Sequence, residues 1–200
     1  MAILTASDGM AASGSRPGDE FGYSVAVSGD TIVVGAAFAT IGTHTGQGAA
    51  YVFVKPAGGW SGNLTENAKL TALDGAMNDA FGLSASVSGE TIAAGSNRAP
   101  GGAAYVFVKP GGGWSGSLNQ TAELTSADHT TSSLGFTVAV SGDTIVTGGP
   151  NSTVGGHNSQ GAAYVFVKPT SGPWVDATEN ARLTGSAGGG HEGLCAAVAI

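Results

Sequence analysis

Short apolar stretches alternate with small and polar residues along the chain, and the order repeats. The block FGYSVAVSGDTIVVGA (residues 21–36) returns as FGLSASVSGETIAAGS (81–96) and as LGFTVAVSGDTIVTGG (134–149). A partial copy, LCAAVAI, occupies residues 194–200. A second block, GAAYVFVKP, begins at Gly48, Gly102 and Gly161. A tryptophan follows each copy (Trp60, Trp114, Trp174), and then an Ala-x-Leu-Thr segment ending at Thr71, Thr125 and Thr184. The same tail, ILT, stands at residues 3–5. A fixed period of this kind is the signature of a repeat architecture.

Each period divides into four predicted strands. In the first, Val25 and Val27 alternate with small residues. Ser28-Gly29-Asp30 is a tight turn in which glycine supplies the unusual backbone angles. TIVVGA is the second strand, and a variable loop (37–47) follows it. The third is AAYVFVK, with Tyr51 and Phe53 on one face and Val52 and Val54 on the other. Pro56 stops it, a variable Trp60 connection follows, and NAKLTA is the fourth strand. Four short antiparallel strands per period match a propeller blade. The expected fold is therefore all-β. Its parts are the end of one blade (1–6), three full blades (21–72, 81–126, 134–185) and the start of another (194–200), in one repeat domain (1–200). Small residues such as Ser24, Ala26, Ala85, Ser86 and Ala139 suit crowded inner strands. Tyr51, Phe53, Trp60 and their copies suit the wider space between blades, which a single repeat cannot fill.

Composition sharpens this picture. Of 200 residues, 35 are Gly and 10% are charged, with a net charge of −7. The glycine excess disfavours helices, and 42% hydrophobic residues disfavour disorder. Only seven basic residues are present, which argues against a nucleic-acid partner. No apolar run suits a membrane helix, so no membrane insertion is expected. The opening MAILTASDG has no basic region before an apolar stretch, so no signal peptide is expected in it.

The motifs F-G-x-S-V-A-V, then V-V-G-A, then G-A-A-Y-V-F resemble the FG-GAP repeat of the integrin alpha-subunit propeller and of many bacterial surface proteins. The variant with SGDT in the turn and a Trp after YVFV looks especially close. The resemblance implies a β-propeller, usually of seven blades, located outside the cell or on its surface. Integrin-type repeats carry a calcium loop between the first two strands, and calcium takes six to eight oxygen ligands. Here that loop shrinks to Ser28-Gly29-Asp30, Ser88-Gly89-Glu90 and Ser141-Gly142-Asp143, so neither calcium nor any other cofactor is expected.

Candidate chemistry falls in loops expected on one face of the ring, the family's ligand surface. His44 and His157 lie between second and third strands, and His129 and His191 lie between blades. Asp19, Glu20 and Asp79 join them as candidate ligand-face residues. The histidines lack metal-ligand spacing and read as solvated loop residues. Asp8, Asp74 and Asp128 recur, as do Asp19 and Asp79, with Glu192 in the partial copy. Such recurrence reads as turn chemistry, the carboxylates accepting backbone N–H groups. Lys55, Lys109 and Lys168 read as strand-end charges, the tryptophans as packing, and Cys195 as a small buried residue in a first strand. Three Asn-x-Thr sequons begin at Asn63, Asn119 and Asn151 and arise easily by chance in such loops.

No catalytic motif is present, so the expected protein is a non-enzymatic binding or scaffold module. Its ligand would be a protein or a carbohydrate. Two other readings stand beside it: a propeller hydrolase or lyase acting on polysaccharide, and a structural unit whose open edges pair between chains. Three full blades do not close a ring, so the chain reads as part of a longer propeller or as a homo-oligomer that completes its blades between copies.

Overall fold

The computed structural model describes residues 1–10, 18–97, 101–128, 133–186 and 192–200. Every regular element among them is a strand. The N-terminal strand is β1 (Ala2–Thr5). The first unit holds β2 (Phe21–Ser28), β3 (Thr31–Ala36), β4 (Ala49–Val54), β5 (Gly62–Thr65) and β6 (Ala68–Thr71). The second holds β7 (Ser84–Ser88), β8 (Thr91–Ser96), β9 (Ala103–Val108), β10 (Gly116–Asn119) and β11 (Ala122–Thr125). The third holds β12 (Thr137–Ser141), β13 (Thr144–Gly149), β14 (Ala162–Val167), β15 (Ala177–Thr178) and β16 (Ala181–Leu183).

The four expected strands of each unit pair antiparallel in sequence: β2-β3-β4-β6, β7-β8-β9-β11 and β12-β13-β14-β16. The Trp connections differ from the expectation of simple loops. Each carries a short extra strand that crosses to the preceding unit and pairs in parallel with its outer strand. Thus β5 lies on β1 (Ala2 opposite Gly62), β10 on β6 (Ala68 opposite Gly116) and β15 on β11 (Leu124 opposite Ala177). The first two blades are therefore five-stranded, each closed by a strand from its successor.

Side-chain alternation explains why the units must stack. In the first unit, Val33, Val52 and Leu70 face forward. They bury in one apolar cluster with Phe81, Val87, Tyr105, Phe107 and Trp114 of the second unit. The next join repeats this, with Ala93, Val106 and Leu124 against Leu134, Val138, Tyr164, Phe166 and Trp174. Phe81 meets Tyr105 and Phe107 edge-on at centroid distances of 5.5 and 5.8 Å. Such edge-to-face geometry adds to the area each ring buries. Trp114 and Trp174 are buried, which matches the packing reading.

The F-G pair is where successive backbones touch. The Ser24 hydroxyl donates to the Gly82 carbonyl at 2.8 Å, and Ser84 to that of Gly135 at 2.8 Å. A Cβ on Gly35 would sit 2.0 Å from the Gly82 oxygen, so the G of the V-G-A segment is required by this approach. The residue before F-G is left-handed in all four copies: Glu20 (φ 51°), Ala80 (51°), Ser133 (44°) and Gly193 (60°). The fourth copy makes the same parallel bridge, Leu194 to Gly161, but residues 195–200 do not continue as a strand. Cys195, at the Gly position, is half-buried with φ 66° and lies in a turn rather than the expected strand.

Candidate functional site

Two kinds of loop segment meet beside the sheets. One is the β3–β4 loop and its copy between β13 and β14. Each folds into a miniature hairpin, Ile41 bridging His44 and Val154 bridging His157. The other is the segment leading to the next F-G. Backbone bonds join the two: Asn78 N–H to Thr45 O at 3.0 Å, Ala80 N–H to Gly46 O at 3.0 Å, and Gly193 N–H to Ser159 O at 3.0 Å.

Buried glutamines extend this seam. Gln47 Nε2 donates to Ala72 O at 3.4 Å, and Gln160 Nε2 donates to Gly185 O at 3.3 Å. His44 Nδ1 lies 3.2 Å from Gln47 Oε1 and 3.1 Å from Gly75 O. Both partners are acceptors, so Nδ1 carries a proton and His44 helps lock one loop onto the next. His157 is exposed in its hairpin. His129 and His191 lie outside the described residues.

Asp19 and Asp79 are buried, and both carboxylates are committed. Asp19 Oδ2 accepts the Met10 N–H at 2.7 Å, and Asp79 Oδ2 accepts the Ala76 N–H at 2.7 Å. Their carbonyls hold the end of the second strand, taking Phe38 N–H at 3.3 Å and Asn97 N–H at 2.9 Å. These are the turn-closing roles their recurrence suggested. Glu20 points to solvent.

Asp8 keeps a backbone hydrogen bond, and Asp8, Asp74 and Asp128 each also reach a side chain of the next unit. Asp8 accepts the Tyr51 hydroxyl at 2.9 Å and pairs with Lys69. Asp74 accepts the Tyr105 hydroxyl at 3.2 Å. Asp128 pairs with Arg182 at 2.9 Å. In each case a turn acid of one unit grips the third strand, the outer strand or both in the next. Partial burial pulls the Asp8 carboxyl upward. The hydrogen bonds from Lys69 and Tyr51 and the Lys69 charge outweigh that and hold it below its usual value. Burial, reinforced by the Asp8 carboxylate, pushes the Tyr51 phenol well up.

A third recurring strut had gone unread in the sequence. Glu66 accepts the Ser7 N–H at 2.9 Å, Gln120 the Leu73 N–H at 2.9 Å, and Glu179 the Ala127 N–H at 2.8 Å. The signal was visible in the matched tetrads TENA, NQTA and TENA before each outer strand. On the opposite face, each short β-turn offers a single carboxylate, and each faces a strand-end lysine. The pairs are Asp30–Lys55 at 3.2 Å, Glu90–Lys109 at 3.9 Å and Asp143–Lys168 at 3.6 Å. Among the described residues, no group of three or more His, Cys, Asp or Glu is placed to hold a metal ion.

Sheets stacked face to face, with outer strands exchanged and F-G pairs at the joins, define an all-β protein of propeller-type blades. The FG-GAP repeat model matches residues 1–53, 64–107 and 118–166, and the chain belongs to that repeat family. Each match runs from the outer strand of one blade into the third strand of the next, so the sequence unit straddles a join. A search of the curated proteins returns no match. Among the described residues no helix is long and apolar enough to cross a membrane.

Proposed function

We propose that this protein is a non-enzymatic binding or scaffold module, working outside the cell or at its surface. Variable loops on one face of its stacked blades would recognise a protein or a glycan. The observation that carries this reading is the fate of the recurring acids. Asp19 and Asp79, which recur before the F-G position, commit carboxylate oxygens to backbone N–H groups. A carboxylate so bound is a brace for the loop, whereas acid–base chemistry needs a proton-transfer partner within reach. The segments between second and third strands, by contrast, differ between units. The sequence is IGTHTGQ in the first and VGGHNSQ in the third, and the segment is shorter in the second. Variable loops on a rigid frame are the usual way such a scaffold gains a ligand. Family membership supports the same reading, although a fold alone does not fix a function.

The test is to replace residues 40–46 and 153–159 with Gly-Ser sequence of equal length and to screen protein and glycan arrays. The expected result is a folded chain that has lost the binding of the parent. Binding retained after both replacements would overturn the proposal.

A further inference from the structure

The residue before F-G and the residue after it sit across one tight turn in each unit. Tyr23 N–H donates to Glu20 O at 3.0 Å, Leu83 N–H to Ala80 O at 3.1 Å and Phe136 N–H to Ser133 O at 3.2 Å. The residues just after the second strand come to the same place. In the third unit Asn151 Nδ2 donates to Ser133 Oγ at 3.2 Å. Asn151 matches Phe38, since Ser152 N–H closes on Gly149 O as Ala39 N–H closes on Ala36 O, each at 3.1 Å. One corner beside the loop that follows the second strand therefore recurs. It holds Ser133, Phe136 and Asn151 in the third unit and Glu20, Tyr23 and Phe38 in the first.

The first unit fills this corner in its own way. Tyr23 and Phe38 meet edge to face, with centroids 6.1 Å apart and planes at 69°. Both rings stay open, at 54% and 37% exposure. That openness belongs to the position in the repeat. The third unit has the second packed against it, yet Phe136 is 43% exposed and Asn151 is exposed beside it. Glu20 is exposed too, and its carboxylate has no hydrogen bond or ion pair among the described residues. The described lysines and arginine are paired elsewhere: Lys55, Lys109 and Lys168 with the β-turn acids, Lys69 with Asp8, and Arg182 with Asp128. The fold does not require an acid at position 20, since the other copies have Ala80, Ser133 and Gly193. Glu20 is also held at φ 51°, a conformation that favours glycine.

We propose that Glu20, Tyr23 and Phe38 form a site for an organic cation of the trimethylammonium class. Ring faces attract a cation within about 6 Å of the centroid, and the unpaired carboxylate supplies the opposite charge. A metal ion does not suit the corner, because calcium takes six to eight oxygen ligands and Glu20 brings a single carboxylate. A guanidinium or a primary ammonium carries N–H donors that need several acceptors. A trimethylammonium group has no N–H and lays its methyl groups against the rings. The net charge of −7 draws cations toward the chain. This site stands apart from the protein or glycan reading. Replacing residues 40–46 and 153–159 leaves Glu20, Tyr23 and Phe38 in place, so the two readings fail separately.

Titration of the 200-residue chain with choline, followed by amide shifts in NMR, tests the proposal. The expected result is saturable binding in the millimolar range, with shifts centred on Glu20, Tyr23 and Phe38. The neutral isostere of choline, with carbon in place of nitrogen, should bind at least about threefold more weakly. Glu20→Ser, Tyr23→Leu and Phe38→Asn install the residues that other units carry at these positions, so the fold tolerates them. Each should weaken choline binding at least about threefold. Phosphatidylcholine vesicles form a second arm. Co-sedimentation that Glu20→Ser abolishes assigns the site to a lipid head group, and binding of free choline alone assigns it to a soluble cation. Absence of saturable choline binding overturns the proposal. So does equal binding of the neutral isostere, indifference to Glu20→Ser or to Phe38→Asn, or shifts confined to other residues.

Discussion

At the scale of single residues, the joins rest on backbone approach more than on side-chain chemistry. Gly135 has φ +88°, and a Cβ there would lie 2.0 Å from the Ala103 carbonyl oxygen, which belongs to a buried strand. Gly142, in a β-turn, also has positive φ (+55°) but nothing within 4 Å. Left-handed backbone costs a non-Gly residue about 1–2 kcal/mol, and a clash with fixed backbone adds to that. Gly135→Ala is therefore expected to lose about 3 kcal/mol or more. Gly142→Ala should lose about 1 kcal/mol. Urea unfolding of the two variants checks the difference, and equal losses would remove the join from the explanation. Asp8 gives a pH-dependent counterpart. Its folded pKa lies below the unfolded value of 3.8, so its stabilisation is complete above that pH and fades as pH falls through the lower folded value. Asp8→Asn should melt below the parent at neutral pH, by under about 1 kcal/mol because the pair is solvent-screened. The gap should close in acid below pH 3.8. A gap that stays constant from neutral pH into acid would contradict the assignment. At Cys195, burial pushes the thiol up, which leaves little reactive thiolate at neutral pH.

At the scale of elements, the division between strong and weak interactions follows burial. Leu124 is fully buried on its outer strand, between the second and third units. Leu124→Ala is expected to cost about 2–5 kcal/mol. Lys109, 3.9 Å from Glu90 with both side chains largely exposed, should cost under about 1 kcal/mol when replaced by Ala. Denaturant midpoints order the two variants, and a reversed order would mean that surface charge rather than stacking holds the blades. The four antiparallel strands of each unit were legible because their apolar residues alternate and glycine marks their turns. The crossing strands β5, β10 and β15 were not. GNLT and GSLN carry one apolar residue each among turn-forming ones, so nothing local marks them as strands. They become strands only because the preceding blade offers an unpaired edge. The loop acids Asp19 and Asp79 were legible as turn closers from their recurrence. The partners of Asp8 and His44 were not, because those contacts join segments far apart in sequence, Asp8 to Lys69 and His44 to Gly75.

At the scale of the whole molecule, a stack of units is stabilised by its own folding and by contacts to its neighbours alone. The second unit is flanked on both faces, while the first and third each have one face only partly covered. Its inner residues Ile92, Ala93, Ala94, Tyr105 and Val106 are all 0% exposed. The first unit instead leaves Val25 and Val27 open, and the third leaves Leu183 open. Local opening is cheapest where least apolar surface is held. At low protein concentration, hydrogen exchange should therefore be slowest in β8 and β9. It should be faster in β2 and fastest in β16, whose outer edge lacks the parallel partner that β6 and β11 have. The two end units should also lose protection at lower urea than the centre. Uniform protection across the three units, lost in one step, would show that the chain behaves as a single cooperative domain. The stacking account of its stability would then fail.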